Sequence, residues 1–210
     1  RDLVAVFDAR LRRTAGERLE FHTALRGAVA RDGIEVAYQP VVRLSGTAGR
    51  DRLVGLEALA RWQRPGHGAV PPATFIPMAE DLGLIHALGD HVLRTACVAV
   101  REWRSETGLP LVIAVNMSAL QLAEAGCVAR VAEVLDDVGL PASALELEIT
   151  ESTLMLDVEA SLQRLAELRE LGVSVAVDDF GTGYSSLAYL RDLPVDVLKI
   201  DKSFTHRLPA

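Results

Sequence analysis

The chain has 210 residues, half of them apolar and only 5% aromatic, a filling of Ala, Val and Leu that suits helices packed on buried parallel strands. A net charge of −7 argues against a general DNA- or RNA-binding surface, though not against a small phosphate ligand held through divalent cations. No apolar run of roughly 18 to 20 residues and no signal-peptide pattern is present, and Cys97 and Cys127 lack C-x-x-C spacing, which predicts two buried free thiols, no membrane segment and a cytoplasmic setting.

In chain order, residues 1–13 read as a short apolar segment (Leu3, Val4, Val6, Phe7) followed by basic residues. Thr14 then begins T-A-G-E, a capping-box pattern with Glu17, predicted to open a helix that carries Phe21, Leu25, Ala28 and Val29 on one face and stops at Asp32-Gly33. Residues 34–42 and 53–62 read as strands joined by the S-G-T-A-G-R-D loop. The turn-rich R-P-G-H-G-A-V-P-P leads to a short helix over 74–82. A long helix follows, with Ile85, Leu88, Val92, Ala96, Val100 and Trp103 on one stripe. Residues 111–115 form a strand and are followed by one helix ending near Gly139. Leu145, Leu147 and Ile149 alternate in the next strand, 158–171 is amphipathic, and 173–177 and 195–200 are the last two strands. Strands separated by helices imply parallel pairing with right-handed crossovers, an α/β fold of the (β/α) barrel kind.

Five of these strands end in polar residues: Glu57, then Asn116, then Glu148, then Asp178 with Asp179, then Lys199 with Asp201. In (β/α) barrels the C-terminal strand ends converge on one mouth, where active sites are built. Any one of these residues taken singly reads equally well as a cap or a solvated loop residue. Five at equivalent positions do not. Glu57, Leu59 and Arg61 share a strand face, so the carboxylate suits a metal and the guanidinium a phosphate; the alternative is a cross-strand ion pair. Asp178 shares its face with the small Ser174 and Ala176, which leaves room at the mouth.

All these candidate ligands are hard oxygen donors, while His22, His67, His86, His91 and His206 show no H-x-x-x-H spacing, so Mg²⁺, Mn²⁺ or Ca²⁺ is expected over zinc. Adjacent aspartates such as Asp178-Asp179 can bridge two cations about 3.5–4 Å apart, a geometry for in-line attack on a phosphodiester. Lys199 would then orient water or stabilise charge; the alternative is a solvent-facing lysine. In D-D-F-G-T-G-Y-S-S two glycines give a flexible loop and Ser185-Ser186 can cap a helix; no protein-kinase set and no G-K-[ST] phosphate loop accompanies it.

E-A-L-A-R at Glu57 to Arg61 resembles the signature of EAL domains. Y-Q-P at Tyr38, F-I-P-M-A-E at Phe75, N-M-S at Asn116, E-I-T-E at Glu148, D-D-F-G-T-G-Y-S-S at Asp178 and K-I-D-K-S-F at Lys199 follow in the family's order. The resemblance, over residues 34–204, implies a (β/α)8 barrel that hydrolyses cyclic di-GMP to linear pGpG with two Mg²⁺ or Mn²⁺ ions. It implies Glu57, Asn116, Glu148 and Asp178 as metal ligands, Asp179 serving the second ion, and Gln39, Leu59 and Arg61 as ligand contacts. Lys199 resembles the lysine near the attacking water with Asp201 beside it, and Glu151 the glutamate that steadies the loop after the fifth of these strands, a loop linked to homodimer formation. Residues 1–32 resemble the tail and linker helix of an upstream GGDEF-like domain, leaving 33–210 as the EAL domain. Six of eight strands are visible, so the expectation is a barrel without its last two strands and without the seventh strand's glutamate, poorly active as it stands. The competing readings are a silent cyclic di-GMP receptor signalling to a partner and a pure interaction domain.

Overall fold

The computed structural model describes residues 9–45, 52–150, 153, 158–181 and 193–205. The chain divides into two compact units, Arg1–Glu35 with Arg61–Leu88, and Val36–Ala60 with Gly89–Ala210.

In the first unit, helix α1 (Ala9–Val29) already begins five residues before Thr14, so T-A-G-E lies inside the helix and is not its N-terminus. The preceding Arg10, Leu11, Arg12 and Arg13 are good helix formers, and they extend it. The helix ends where Asp32 adopts a left-handed φ of 52° and Gly33 returns its N–H to the Ala28 carbonyl at 2.8 Å. Leu25, Trp62, Phe75 and Ala79 are fully or almost fully buried. Trp62 stands edge-on to Phe21 (5.1 Å between centroids) and to Phe75 (5.9 Å), the packing that aromatic quadrupoles favour. The turn-rich segment holds a strand that the sequence reading lacked: β3 (Gly68–Val70) folds back antiparallel on the end of β2 (Arg52–Arg64), pairing Trp62 with Val70. Helix α2 (Pro72–Asp81) starts at Pro72 rather than at 74, because proline at the first helical position presets φ and has no N–H to satisfy.

The second unit carries most of the sheet, whose strand order is β1-β2-β4-β5-β6-β7. The strands are β1 (Ile34–Arg43), β2 (Arg52–Arg64), β4 (Val112–Asn116), β5 (Leu145–Thr150), β6 (Ser174–Phe180) and β7 (Val197–Ile200), and from β2 to β7 every neighbouring pair on this path is parallel. With α3 (Ile85–Thr107), α5 (Cys127–Val138) and α6 (Val158–Glu170) between strands, this is the α/β architecture of a (β/α) barrel, six of whose strands lie among the described residues. Ile113, Val115, Leu145, Leu147, Ile149, Val175 and Val177 form the buried strand core, and Ala96, Cys97 and Val100 of α3 are fully buried as well. Both thiols are free and buried as expected; burial pushes Cys97 up to about 12 and Cys127 up to about 11, so neither is reactive near neutral pH.

The single helix expected before Gly139 is two. The first, α4 (Ala119–Ala123), is capped by Ser118 and ends when Glu124 turns extended; α5 then runs to Gly139, whose φ of 72° closes it. Among the described residues no helix is long and apolar enough to cross a membrane.

Candidate functional site

Parallel register sets the strand ends in a row. Asn116 pairs with Glu148, Glu57 with Ala114, and Thr150 with Asp178. Immediately past β4 the Met117 N–H donates to the Glu148 carbonyl at 2.8 Å, which locks the ends of β4 and β5 together. The turn beyond is fixed by a reciprocal cap: the Gln121 N–H donates to Ser118 Oγ (3.3 Å) and the Ser118 N–H to Gln121 Oε1 (3.1 Å). This S-x-x-Q spacing is a signature that the sequence reading passed over.

Lys199, on β7, reaches across this row. Its Nζ donates to Glu148 Oε1 at 2.7 Å and to Glu57 Oε2 at 3.3 Å, and lies 3.7 Å from Asp178 Oδ1. Asn116 Nδ2 donates to the other oxygen of Glu57 at 3.1 Å. Thus Glu57, Asn116, Glu148, Asp178 and Lys199 meet in one cluster drawn from five strands. The solvent-facing reading of Lys199 is overturned: its side chain is 29% exposed and faces three acids.

Three carboxylates face one ammonium, so the cluster has an excess of negative charge. Glu148 is buried, and burial pushes its carboxyl up to about 7; Lys199 opposes that shift, while Glu57 and Asp178 reinforce it. Burial alone would lower Lys199, but the Glu148 hydrogen bond and the three acids outweigh it, and its net shift is upward. The ammonium is therefore charged at neutral pH. Glu148 Oε2 is buried with no hydrogen-bond partner, an acceptor in want of a cation. Among the described residues no three His, Cys, Asp or Glu side chains are arranged to hold a metal as they stand; the Lys199 ammonium lies among the acids instead.

Asp179 owes its place to a bulge. Pairing of β6 with β7 shifts register between Val177 and Phe180, and Asp179 takes a left-handed φ of 52°. A regular strand would send Asp178 and Asp179 to opposite faces; the bulge re-aims the second carboxylate. A left-handed residue costs about 1 kcal/mol, less for Asp than for most side chains. Burial raises the Asp179 carboxyl, as do the neighbouring Asp178 and Asp201, the latter also through a side-chain hydrogen bond. The Asp201 Oδ1 accepts the Ser203 N–H at 2.9 Å, which holds the turn after β7.

The other expected site residues lie on β1 and β2. Gln39 is exposed on β1; Leu59 and Arg61, both half-buried, follow Glu57 along β2 at the same alternation. Glu151 and the T-G-Y-S-S stretch lie outside the described residues.

The model of the EAL domain family matches residues 22–210. A bifunctional diguanylate cyclase/cyclic di-GMP phosphodiesterase, MucR of Pseudomonas aeruginosa, is 44% identical over 202 residues, covering 96% of this chain and 29% of that protein. The cyclic di-GMP phosphodiesterase NbdA of the same species is 44% identical over 204 residues, covering 97% of this chain and 26% of the relative. The solved MucR phosphodiesterase in complex with c-di-GMP superposes with a TM-score of 0.81 at 45% identity, covering 88% of this chain and 73% of that one. The chain spans about a quarter of the length of the curated relatives it matches.

Proposed function

The chain belongs to the EAL domain family, and from that membership we propose that it hydrolyses one phosphodiester of cyclic di-GMP to linear pGpG with two divalent cations, Mg²⁺ or Mn²⁺. The observation that carries the reading is the cluster itself: Glu57, Glu148 and Asp178, from three strands, all within 3.7 Å of one cation, the Lys199 ammonium. The donor set fits hard divalent ions. Glu57, Asn116, Glu148 and Asp178 offer oxygen ligands, Asp179 serves the second ion, and the unpartnered Glu148 Oε2 supplies an acceptor already stripped of water.

Two divalent ions held by these residues would activate water for attack and offset charge on the leaving oxygen. The chain's own residues do the rest. Lys199, fixed by Glu148 and Glu57, holds the attacking water and offsets charge on the phosphorane-like transition state. Arg61 takes a phosphate as a fork, and Gln39 and Leu59 line the nucleotide's path. Asp201 hydrogen-bonds within this frame and binds substrate beside Lys199, and Glu151 steadies the loop after β6. In the same proposal residues 1–32 are the tail and linker of an upstream GGDEF-like domain, and the protein works as a cytoplasmic homodimer.

The test is incubation of the full chain with cyclic di-GMP and Mn²⁺ or Mg²⁺, with pGpG followed by chromatography. Product that disappears in Glu57→Ala supports the phosphodiesterase. A folded protein that binds the nucleotide and releases no product, even when extended through the two further barrel strands expected of the family, is a receptor instead.

A further inference from the structure

Two observations beside the bulge belong together. Gly181, the residue that ends the D-D-F-G turn, has a φ of +97°, and a Cβ built on it would come within 2.8 Å of two ring atoms of Phe204. The Phe204 ring therefore lies directly on the Gly181 α-carbon. Phe204 is 56% exposed, so its ring is only partly covered where it meets Gly181. Its own backbone is tied to the site: the Phe204 N–H donates to the Asp201 carbonyl at 3.1 Å, in the turn whose Ser203 N–H is held by Asp201 Oδ1.

A closed circuit results. From Lys199 the chain passes through Asp201 to Phe204; the ring crosses to Gly181; from Gly181 the chain runs back through Phe180, paired with Ile200, to the left-handed Asp179. Strained backbone persists only where its surroundings over-determine it. On one side of the bulge Ala176 and Val177 are held by Val197 and Leu198. On the other side, among the described residues, β6 pairs with β7 through Phe180 and Ile200, and the ring on Gly181 is a second hold.

We propose that Phe204 is a positioning residue, whose ring on Gly181 keeps the Asp178–Asp179 bulge aimed at Lys199 and Asp201 and so sets turnover without touching the nucleotide. The proposal rests on the phosphodiesterase reading for its kinetic consequence and on geometry alone for the clamp. Loss of the ring frees the turn; tyrosine keeps the ring and the clamp. Gly181→Ala pushes the ring away and is strained besides, so its damage is smaller once the ring has gone.

The experiment compares wild type, Phe204→Ala, Phe204→Tyr, Gly181→Ala and the double alanine variant in the full chain, by hydrogen exchange of the peptide over residues 176–181 and by kcat and KM for cyclic di-GMP. Phe204→Ala is expected to speed exchange roughly tenfold and to lower kcat by roughly tenfold or more with KM within about threefold. Phe204→Tyr is expected to restore both, with all melting temperatures within ~4 °C of wild type. Exchange in Phe204→Ala indistinguishable from wild type, or a Phe204→Tyr variant as defective as alanine, overturns the clamp. Wild type without turnover, even when extended through the two further barrel strands expected of the family, overturns the phosphodiesterase reading instead, and the exchange data then decide the clamp alone.

Discussion

Lys199 on β7 donates to Glu148 on β5 at 2.7 Å although β6 stands between them in the sheet, and this bridge ties β7 to the acidic cluster. Removing the ammonium leaves Glu57, Glu148 and Asp178 facing one another. Breaking a buried pair from one side costs about 3–5 kcal/mol. Here the loss is smaller, because Glu148 can take up a proton. Lys199→Met is expected to lower stability by about 1–3 kcal/mol in urea unfolding at pH 8 and by clearly less at pH 5, where the acid is neutral. Equal losses at both pH values would mean that the bridge is not what Lys199 contributes.

Glu148 also gives the protein a pH dependence of definite sign. Its folded pKa is raised to about 7 from 4.5, so between these values the folded chain holds more protons than the unfolded one. Stability from this group is therefore present below the unfolded value and is lost as pH rises through the folded value. Glu148→Gln removes that slope. Unfolding at pH 5 and pH 8 without added metal should show wild type losing up to about 3 kcal/mol more than the variant across the interval. A wild-type profile parallel to that of Glu148→Gln would place the carboxyl at its ordinary value.

The distribution of what the sequence disclosed follows from range. Residues 111–115 and 145–149 alternate or run apolar over their own length, so β4 and β5 were legible locally, and the polar residue at each strand end came with them. The bulge at Asp179 depends on which residue of β7 lies opposite, a fact of register that no local pattern carries. The three-residue β3 is too short for a period to appear, and its glycines read only as turn. T-A-G-E misled because a capping box inside a helix has the same letters as one at its start, and only the residues before it decide. By contrast, Ser118-x-x-Gln121 is a local signal that was present and unread.

At the entry to β7, Asp196 accepts three hydrogen bonds from Arg169, the shortest 2.8 Å from Nη2, and a fourth from the Val175 N–H at 3.0 Å. Burial opposes ionisation, but Arg169 and the backbone amide prevail, and the carboxyl is held below the usual value. The stability it contributes is present above about pH 4 and is lost as pH falls through the folded value. Both side chains are substantially exposed, so solvent screening keeps the pair to about 1 kcal/mol or less. Asp196→Asn keeps an acceptor for Val175 and loses only the ion pair; Asp196→Ala leaves the amide unpaired as well and is expected to cost about 1 kcal/mol more. Thermal unfolding of the two variants at pH 7 separates the contributions, and equal melting temperatures would show that the backbone bond carries nothing.

Gly55 lies two residues before Glu57 and pairs with Val112 of β4. A Cβ at this position would run into the Val112 carbonyl oxygen, a backbone atom that can yield only if β2 and β4 separate. Overpacking of this kind costs about 1–3 kcal/mol. It also shifts the strand whose next inward residue is the carboxylate bonded to Asn116 and Lys199, at 3.1 and 3.3 Å. Gly55→Ala is therefore expected to lower the melting temperature and to weaken Mn²⁺ binding in the same variant, whereas Gly126→Ala, with open space at its α-carbon and a negative φ of −87°, should leave both within error. Calorimetry with Mn²⁺ at a temperature where both variants are folded distinguishes the effects. A Gly55→Ala protein that is destabilised yet binds the ion like wild type would show that the close approach of β2 and β4 supports the fold alone and that Glu57 keeps its aim without it.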